Sequence, residues 1–147
     1  MTFHNPREII ATIHTKFTEK EISHLYLDAG ASMVLHGIKN STNDLDIFVD
    51  DLDVFIWLAG RMRAIIERGY DTDAYRIKLG DDIEVFTMTD ADRQRIAACT
   101  HPFEVRENIR HSSIETLRRW YEHAVKTFGM RQKDIDSLAL VTSWNGR

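Results

Sequence analysis

The sequence predicts an α/β fold: a small mixed sheet of about four strands flanked by helices, followed by a helical C-terminal portion. Three observations carry this. Residues 25–27, 44–49, 75–79 and 83–86 are short apolar or alternating runs of strand length. Other segments repeat apolar residues at three- and four-residue spacing, or open with helix-start chemistry. The two kinds alternate through roughly the first 90 residues, whereas the last part of the chain reads as helix.

The 147 residues suit a single domain spanning 1–147, with a core at about 22–90 and helices at about 112–143. Hydrophobic content of 43% and charged content of 29% describe a globular chain. No apolar run reaches membrane-spanning length and no signal-peptide core opens the chain, so no membrane partner is expected. Cys99 stands alone, which excludes an internal disulfide and fits a reducing, cytoplasmic setting. The net charge of −4, from 19 basic and 23 acidic residues, argues against non-specific nucleic-acid binding. The seven histidines are scattered, with no HExxH; CxxC and phosphate-loop motifs are also missing.

In chain order, Asn5 caps a first helix with Pro6 at its first position, and Ile9, Ile10, Ile13 and Phe17 form its apolar stripe. Glu19 to Ser23 reads as a polar turn. Leu25, Tyr26 and Leu27 form a strand that ends at Asp28-Ala29-Gly30, where Gly30 supplies a tight turn into a helix running from Ala31 to Ile38. A free helix N-terminus there would attract anions. His36 on this helix reads as a packed, hydrogen-bonded residue. The loop Lys39-Asn40-Ser41-Thr42-Asn43 is either an ordinary turn or the mouth of a site lined by Lys39, Ser41 and Thr42. Asp44-Leu45-Asp46-Ile47-Phe48-Val49 then alternates as a strand does. Asp44 and Asp46 share one face, and Leu45, Ile47 and Val49 the other. Two carboxylates so close stay ionised together only with a cation between them, and oxygen ligands on a rigid element suit Mg²⁺.

Asp50 to Asp53 read as first-turn acids of the next helix rather than as ligands. That helix carries Val54, Leu58, Met62, Ile65 and Ile66, and Gly69 closes it. A segment from Tyr70 to Met88 follows, in which Tyr75–Leu79 and Ile83–Phe86 pair as a hairpin about Gly80-Asp81-Asp82. Arg76 and Lys78 flank it, either to contact phosphates or to keep an edge soluble. Thr89 with Asp92 caps a helix running to about Cys99. His101-Pro102 breaks it, Phe103 to His111 is extended, and Ser112-Ser113 caps a helix that Gly129 closes. A final helix runs from Gln132 to about Thr142, with a frayed tail.

The phrases LDAGASMVLHG and NDLDIFVD resemble the nucleotidyltransferase (DNA polymerase beta-like) fold superfamily. Its mark is a Gly-Gly or Gly-Ser turn, about a dozen residues, then a DxD or DxE pair in an apolar strand. The small members that the chain resembles include antibiotic nucleotidyltransferases and toxin- or antitoxin-associated transferases. The motif covers about a sixth of the chain, and the later elements follow the family's order. The resemblance implies Mg²⁺, with Mn²⁺ as a substitute, held by Asp44, Asp46 and a third carboxylate. That third residue is Glu84 in IEVF, where the family usually has Asp; the extra methylene extends its reach by about 1.5 Å. Asp82 shares its face and is the fallback. Asp44, Asp46 and Glu84 are therefore both the catalytic and the metal residues. The resemblance puts nucleotide phosphates at Gly30, Ala31 and Ser32, with Ala31 where the family often has a hydroxyl or glycine. Lys39, Arg76 and Lys78 are further phosphate contacts. RQKDID resembles the C-terminal phrase of the small transferases, which turns Arg131 and Lys133 toward the cleft.

The expected activity is transfer of a nucleoside monophosphate from a nucleoside triphosphate to a hydroxyl on a small molecule, a protein or a tRNA. Ala31 and Glu84 depart from the common pattern and keep a catalytically silent nucleotide-binding or antitoxin-type module as an alternative. A toxin-type transferase acting on tRNA is a second alternative, which would need Arg61, Arg63, Arg118 and Arg119 on one basic face.

Overall fold

A computed structural model describes residues 2–69 and 73–144. The expected start at Tyr70 and the tail beyond Trp144 lie outside the described residues. Helix α1 (Pro6–Lys16) starts where the Asn5 side chain accepts the Glu8 N–H, and it buries Ile9, Ile10 and Ile13. The polar stretch expected as a turn is the short helix α2 (Glu19–Ile22), closed by a reciprocal capping box between Thr18 and Glu21. Strand β1 (Leu25–Asp28), helix α3 (Ala29–Leu35), strand β2 (Leu45–Val49) and helix α4 (Leu52–Arg61) follow. Next come strands β3 (Glu67–Arg68), β4 (Tyr75–Leu79) and β5 (Ile83–Thr87), then helix α5 (Asp90–Ala97). Strands β6 (Phe103–Arg106) and β7 (Ile109–Ser112) and helices α6 (Ile114–Thr127) and α7 (Gln132–Ser143) complete the order.

The strands form one mixed sheet in the order β3-β4-β5-β2-β1-β7-β6. Among the described residues it has seven strands, where the sequence pattern predicts about four. β3 spans two residues, too few for a periodicity, and the extended stretch after Pro102 is an antiparallel hairpin of β6 and β7 on the far edge. β2 lies at the centre, antiparallel to β1 and parallel to β5.

Period-two alternation decides what each face does. Leu25, Leu27, Leu45, Ile47, Val49, Ile77, Ile83 and Val85 share one face and are at most 3% exposed. They pack with Ile9 and Ile13 of α1, Val34 of α3, and Phe55 and Leu58 of α4. Each such side chain contributes about 1.5 to 3 kcal/mol, so this face holds the sheet together and leaves the other free for polar groups. On the second face Tyr26, Phe48 and Phe86 run across three strands, with ring centroids 5.2 and 5.3 Å apart. Next to this aromatic row the helical pair α6 and α7 packs on Met33 of α3 through Leu117, Tyr121 and Val141. Among the described residues no helix is long and apolar enough to cross a membrane.

Expected boundaries move at both helices beside the central strands, and α3 also ends at Leu35 rather than Ile38. The apolar spacing through Met62, Ile65 and Ile66 suggests a helix reaching Gly69, but α4 ends at Arg61. Arg63 takes a left-handed φ of 53°, and the Ala64 N–H closes on the Ala59 carbonyl at 2.9 Å. This is a glycine-type helix stop made by an arginine. Gly69 instead donates to the Ala74 carbonyl beside β3, and Ile65 is 80% exposed. Helix α3 begins at Ala29, not Ala31, and it is Ala29, with φ of 52°, that takes the left-handed turn out of β1. Gly30 serves another purpose. A Cβ there would lie 2.7 Å from Thr42 Oγ1, so the missing side chain lets the loop 39–43 cross over the helix start.

Candidate active site

The register of the central strands sets the site. Asp28 of β1 stands opposite Asp46 of β2, and Asp46 stands beside Glu84 of β5, so three carboxylates form a row across adjacent strands. Neighbouring strands are about 4.8 Å apart. Asp44, just ahead of β2, lines the same cleft, whose volume is about 650 Å³. The start of α3, the Lys39–Thr42 loop, Phe48 and Phe86, and the facing ends of α6 and α7 form its remaining walls.

Electrostatics match the crowding. Burial, then the charges of Asp44, Asp28 and Glu84, push the Asp46 carboxyl up to about 7, with Lys133 opposing. Burial raises the Asp28 carboxyl against the pull of the Ala29 N–H and the Ser112 hydroxyl. Asp28 Oδ1 is buried and makes no hydrogen bond, a costly arrangement without a counter-ion or proton. Burial likewise raises the Tyr121 hydroxyl, with Asp28 adding to it. The donor set is carboxylate oxygen on rigid strands, with one orphaned oxygen and one acid whose ionisation is pushed up to about 7 when no counter-charge is present. It fits a hard divalent cation such as Mg²⁺.

Of the residues picked out in the sequence, Gly30, Lys39, Asp44, Asp46, Glu84 and Lys133 line this cleft together. Lys39 and Lys133 form no ion pair among the described residues. Arg131 also lines it, with its guanidinium 2.8 Å from Asp134 and stacked over Phe128. Arg76 and Lys78 do not line it. Arg76 lies 3.2 Å from Glu84 and 3.5 Å from Glu67, so it braces Glu84, and Lys78 is an exposed neighbour of Glu84 across the hairpin. Ala31 is fully buried beneath the cleft. Ser32 points away, its hydroxyl donating to the Ser112 carbonyl at 2.7 Å. Asp50 and Asp51 do the structural work expected of them: Asp51 caps α4, and Asp50 joins His24 and Arg110. Arg61 is held on Glu21 rather than contributing to a free basic face.

Sequence reasoning passed over Asp28, Asp92, Trp120 and Tyr121 of α6, and Phe128 just after it, all of which line the cleft. A carboxylate ending an otherwise apolar four-residue strand was the available signal for Asp28. Asp92 pairs with Arg95, which in turn stacks 4.7 Å over the Trp120 ring, tying α5 to α6. No such link is visible in the spacing.

No protein-family model matches the chain, and no curated protein matches it in sequence. Among solved structures, it is similar to the aminoglycoside nucleotidyltransferase ANT(2")-Ia in a crystal structure with adenylyl-2"-tobramycin. The TM-score is 0.60 over 92% of this chain and 86% of that one, at 15% sequence identity. At that identity the likeness speaks to the fold alone: this chain has a nucleotidyltransferase-like α/β fold.

Proposed function

We propose that the chain is a divalent-cation-dependent nucleotidyltransferase that moves a nucleoside monophosphate from a nucleoside triphosphate to a hydroxyl acceptor. The observation that carries this is the carboxylate row Asp28, Asp46 and Glu84, with Asp44 beside it, at the start of a helix and facing Lys39 and Lys133. In this reading Asp44, Asp46 and Glu84 hold Mg²⁺ or Mn²⁺. An ion held there would supply positive charge to the triphosphate as its α-phosphate is attacked. The acceptor oxygen bonds to the α-phosphorus, the bond to the bridging oxygen of the β-phosphate breaks, and the acceptor proton passes to Glu84. Arg76, against Glu84, is a positioning residue. Lys39 and Lys133 balance the charge of the departing pyrophosphate. The cleft volume is in the range of a small-ligand site, and Phe48, Phe86, Trp120 and Phe128 give it ring faces for a base.

The chain acts as one domain in this account, because sheet, α3 and the α6–α7 pair all contribute walls to one cleft. A nucleoside triphosphate substrate fits a cytoplasmic protein. The similar solved structure holds an adenylylated aminoglycoside, which makes ATP with an aminoglycoside the first donor–acceptor pair to test. The assay is pyrophosphate release from each triphosphate, with mass spectrometry of a panel of hydroxyl-bearing acceptors. Release that needs Mg²⁺ and vanishes in Asp46→Asn supports the reading. No release with any acceptor, despite tight triphosphate binding, supports a silent nucleotide-binding module instead. One observation favours that second reading: Asp28 puts a buried carboxyl beside the helix start where phosphate would lie.

A further inference from the structure

A second group of ligand-bearing side chains meets on the other face of the sheet, at its β7–β6 edge. His111 of β7 stands opposite Glu104 of β6, and His36, the C-cap of α3, reaches both. The two imidazole rings meet edge to face with centroids 4.8 Å apart. Both are interior, with 7% and 4% of the side chain exposed, whereas Glu104 is 58% exposed.

For neutral rings, the surrounding hydrogen bonds fix which nitrogen carries the proton. His36 Nε2–H donates to the Ser112 carbonyl at 2.8 Å. Ser32 gives its single hydroxyl proton to the same carbonyl, so its oxygen accepts from His111 Nδ1–H at 3.1 Å. That leaves His36 Nδ1 and His111 Nε2 as lone pairs, and these are the atoms that face Glu104 Oε2, at 3.3 and 4.0 Å. Three acceptors converge with no hydrogen assigned between them. A carbonyl or hydroxyl that orients the far nitrogen of each ring is how metal-binding histidines are held.

We propose that His36, Glu104 and His111 form a second metal site, separate from the carboxylate cleft, that takes a zinc-class divalent ion with water in the fourth position. Two imidazoles and one carboxylate suit such an ion better than Mg²⁺. The three ligand atoms lie within 4.8 Å of one another. Tetrahedral zinc with bonds of about 2.0 to 2.1 Å sets its ligand atoms about 3.4 Å apart. The His36–Glu104 separation already matches, and the exposed Glu104 side chain can turn to close the rest. Arg106, a cation beside the group, is held on the Leu35 carbonyl at 3.3 Å. The ion ties the C-terminal end of α3 to the edge hairpin, while the opposite end of α3 forms a wall of the cleft.

The test strips the full chain of metal with a chelator, then titrates Zn²⁺ against a chromophoric competitor in excess Mg²⁺, which occupies the cleft carboxylates. Wild type and Asp46→Asn are expected to take up one equivalent of Zn²⁺. Glu104→Gln, a change at an exposed position, should lose affinity by about 10- to 100-fold or more, and His36→Gln likewise. Cobalt(II) substitution gives a second readout, with visible bands of a nitrogen-ligated tetrahedral site in wild type and Asp46→Asn but not in Glu104→Gln. Absence of zinc uptake in excess Mg²⁺ would overturn the proposal. So would uptake that Glu104→Gln leaves intact or that Asp46→Asn abolishes.

Discussion

Gly30→Ala isolates the contact that sets Asp44 in the cleft. Gly30 does not have a positive φ, so alanine fits its backbone, and in a helix it is favoured over glycine by about 1 kcal/mol. The obstacle is one atom: the new Cβ meets Thr42 Oγ1 at 2.7 Å, while Thr42 Cβ is 3.5 Å away, an ordinary contact. That hydroxyl cannot simply rotate away, because it donates to the Asp44 carbonyl at 3.1 Å. Overpacking of this kind costs about 1 to 3 kcal/mol, so the single substitution should destabilise the protein despite the better helix former. Thr42→Ala alone should cost about 0.5 to 1.5 kcal/mol for the lost hydrogen bond. On that background Gly30→Ala should be neutral or stabilising by up to about 1 kcal/mol, giving a coupling near 2 kcal/mol. Urea unfolding of the four proteins measures it, and Mg²⁺-dependent nucleotide binding should fall in each variant that shifts Asp44. Equal effects of Gly30→Ala in both backgrounds would mean that Thr42 Oγ1 is not what excludes a side chain at position 30.

Other outcomes follow from the same geometry. In chelator, Asp46 keeps in the folded state a proton that the unfolded chain sheds near pH 4 and releases it only near pH 7. Its contribution is therefore complete below about pH 4 and lost as pH rises through 7, on the order of a few kcal/mol. Thermal melts from pH 4 to 8 should show this fall, and Mg²⁺ or Asp46→Asn should flatten it. Asp28→Asn replaces a buried acid of raised pKa with a neutral amide, so stability above neutral pH in chelator should be unchanged or higher; a loss of several kcal/mol would mean that Asp28 is needed as an anion. Arg61→Ala leaves Glu21, which is 1% exposed and bonded by Arg61 at 2.6 and 2.7 Å, with the Thr18 N–H but no cation, and should cost about 3 kcal/mol in urea unfolding.

What the sequence made readable was whatever depends on neighbours along the chain. The caps at Asn5, Thr89 and Ser113, the Gly129 stop, the alternation of Leu45 to Val49 and the hairpin from Tyr75 to Thr87 all rest on local chemistry. Features decided by distant segments were not readable. Arg63 ends α4 in a conformation that its side chain does not advertise. Gly30 looked like a turn residue, but its missing side chain answers to Thr42, twelve positions away. Asp28 joins Asp46 and Glu84 only through the pairing of β1 with β2 and of β2 with β5, which no spacing encodes. Ser32 was expected among the phosphate contacts, yet helix rotation turns it toward His111 and the edge hairpin.

On the proposed reading, the carboxylate row binds a nucleoside triphosphate through a divalent cation. Calorimetric titration of each triphosphate, with and without Mg²⁺, on wild type and Asp46→Asn tests it most directly. Saturable binding of at least one triphosphate is expected, needing Mg²⁺ and lost in Asp46→Asn while the variant's melting curve stays cooperative. Binding of none of them, or binding indifferent to both Mg²⁺ and Asp46, would contradict it.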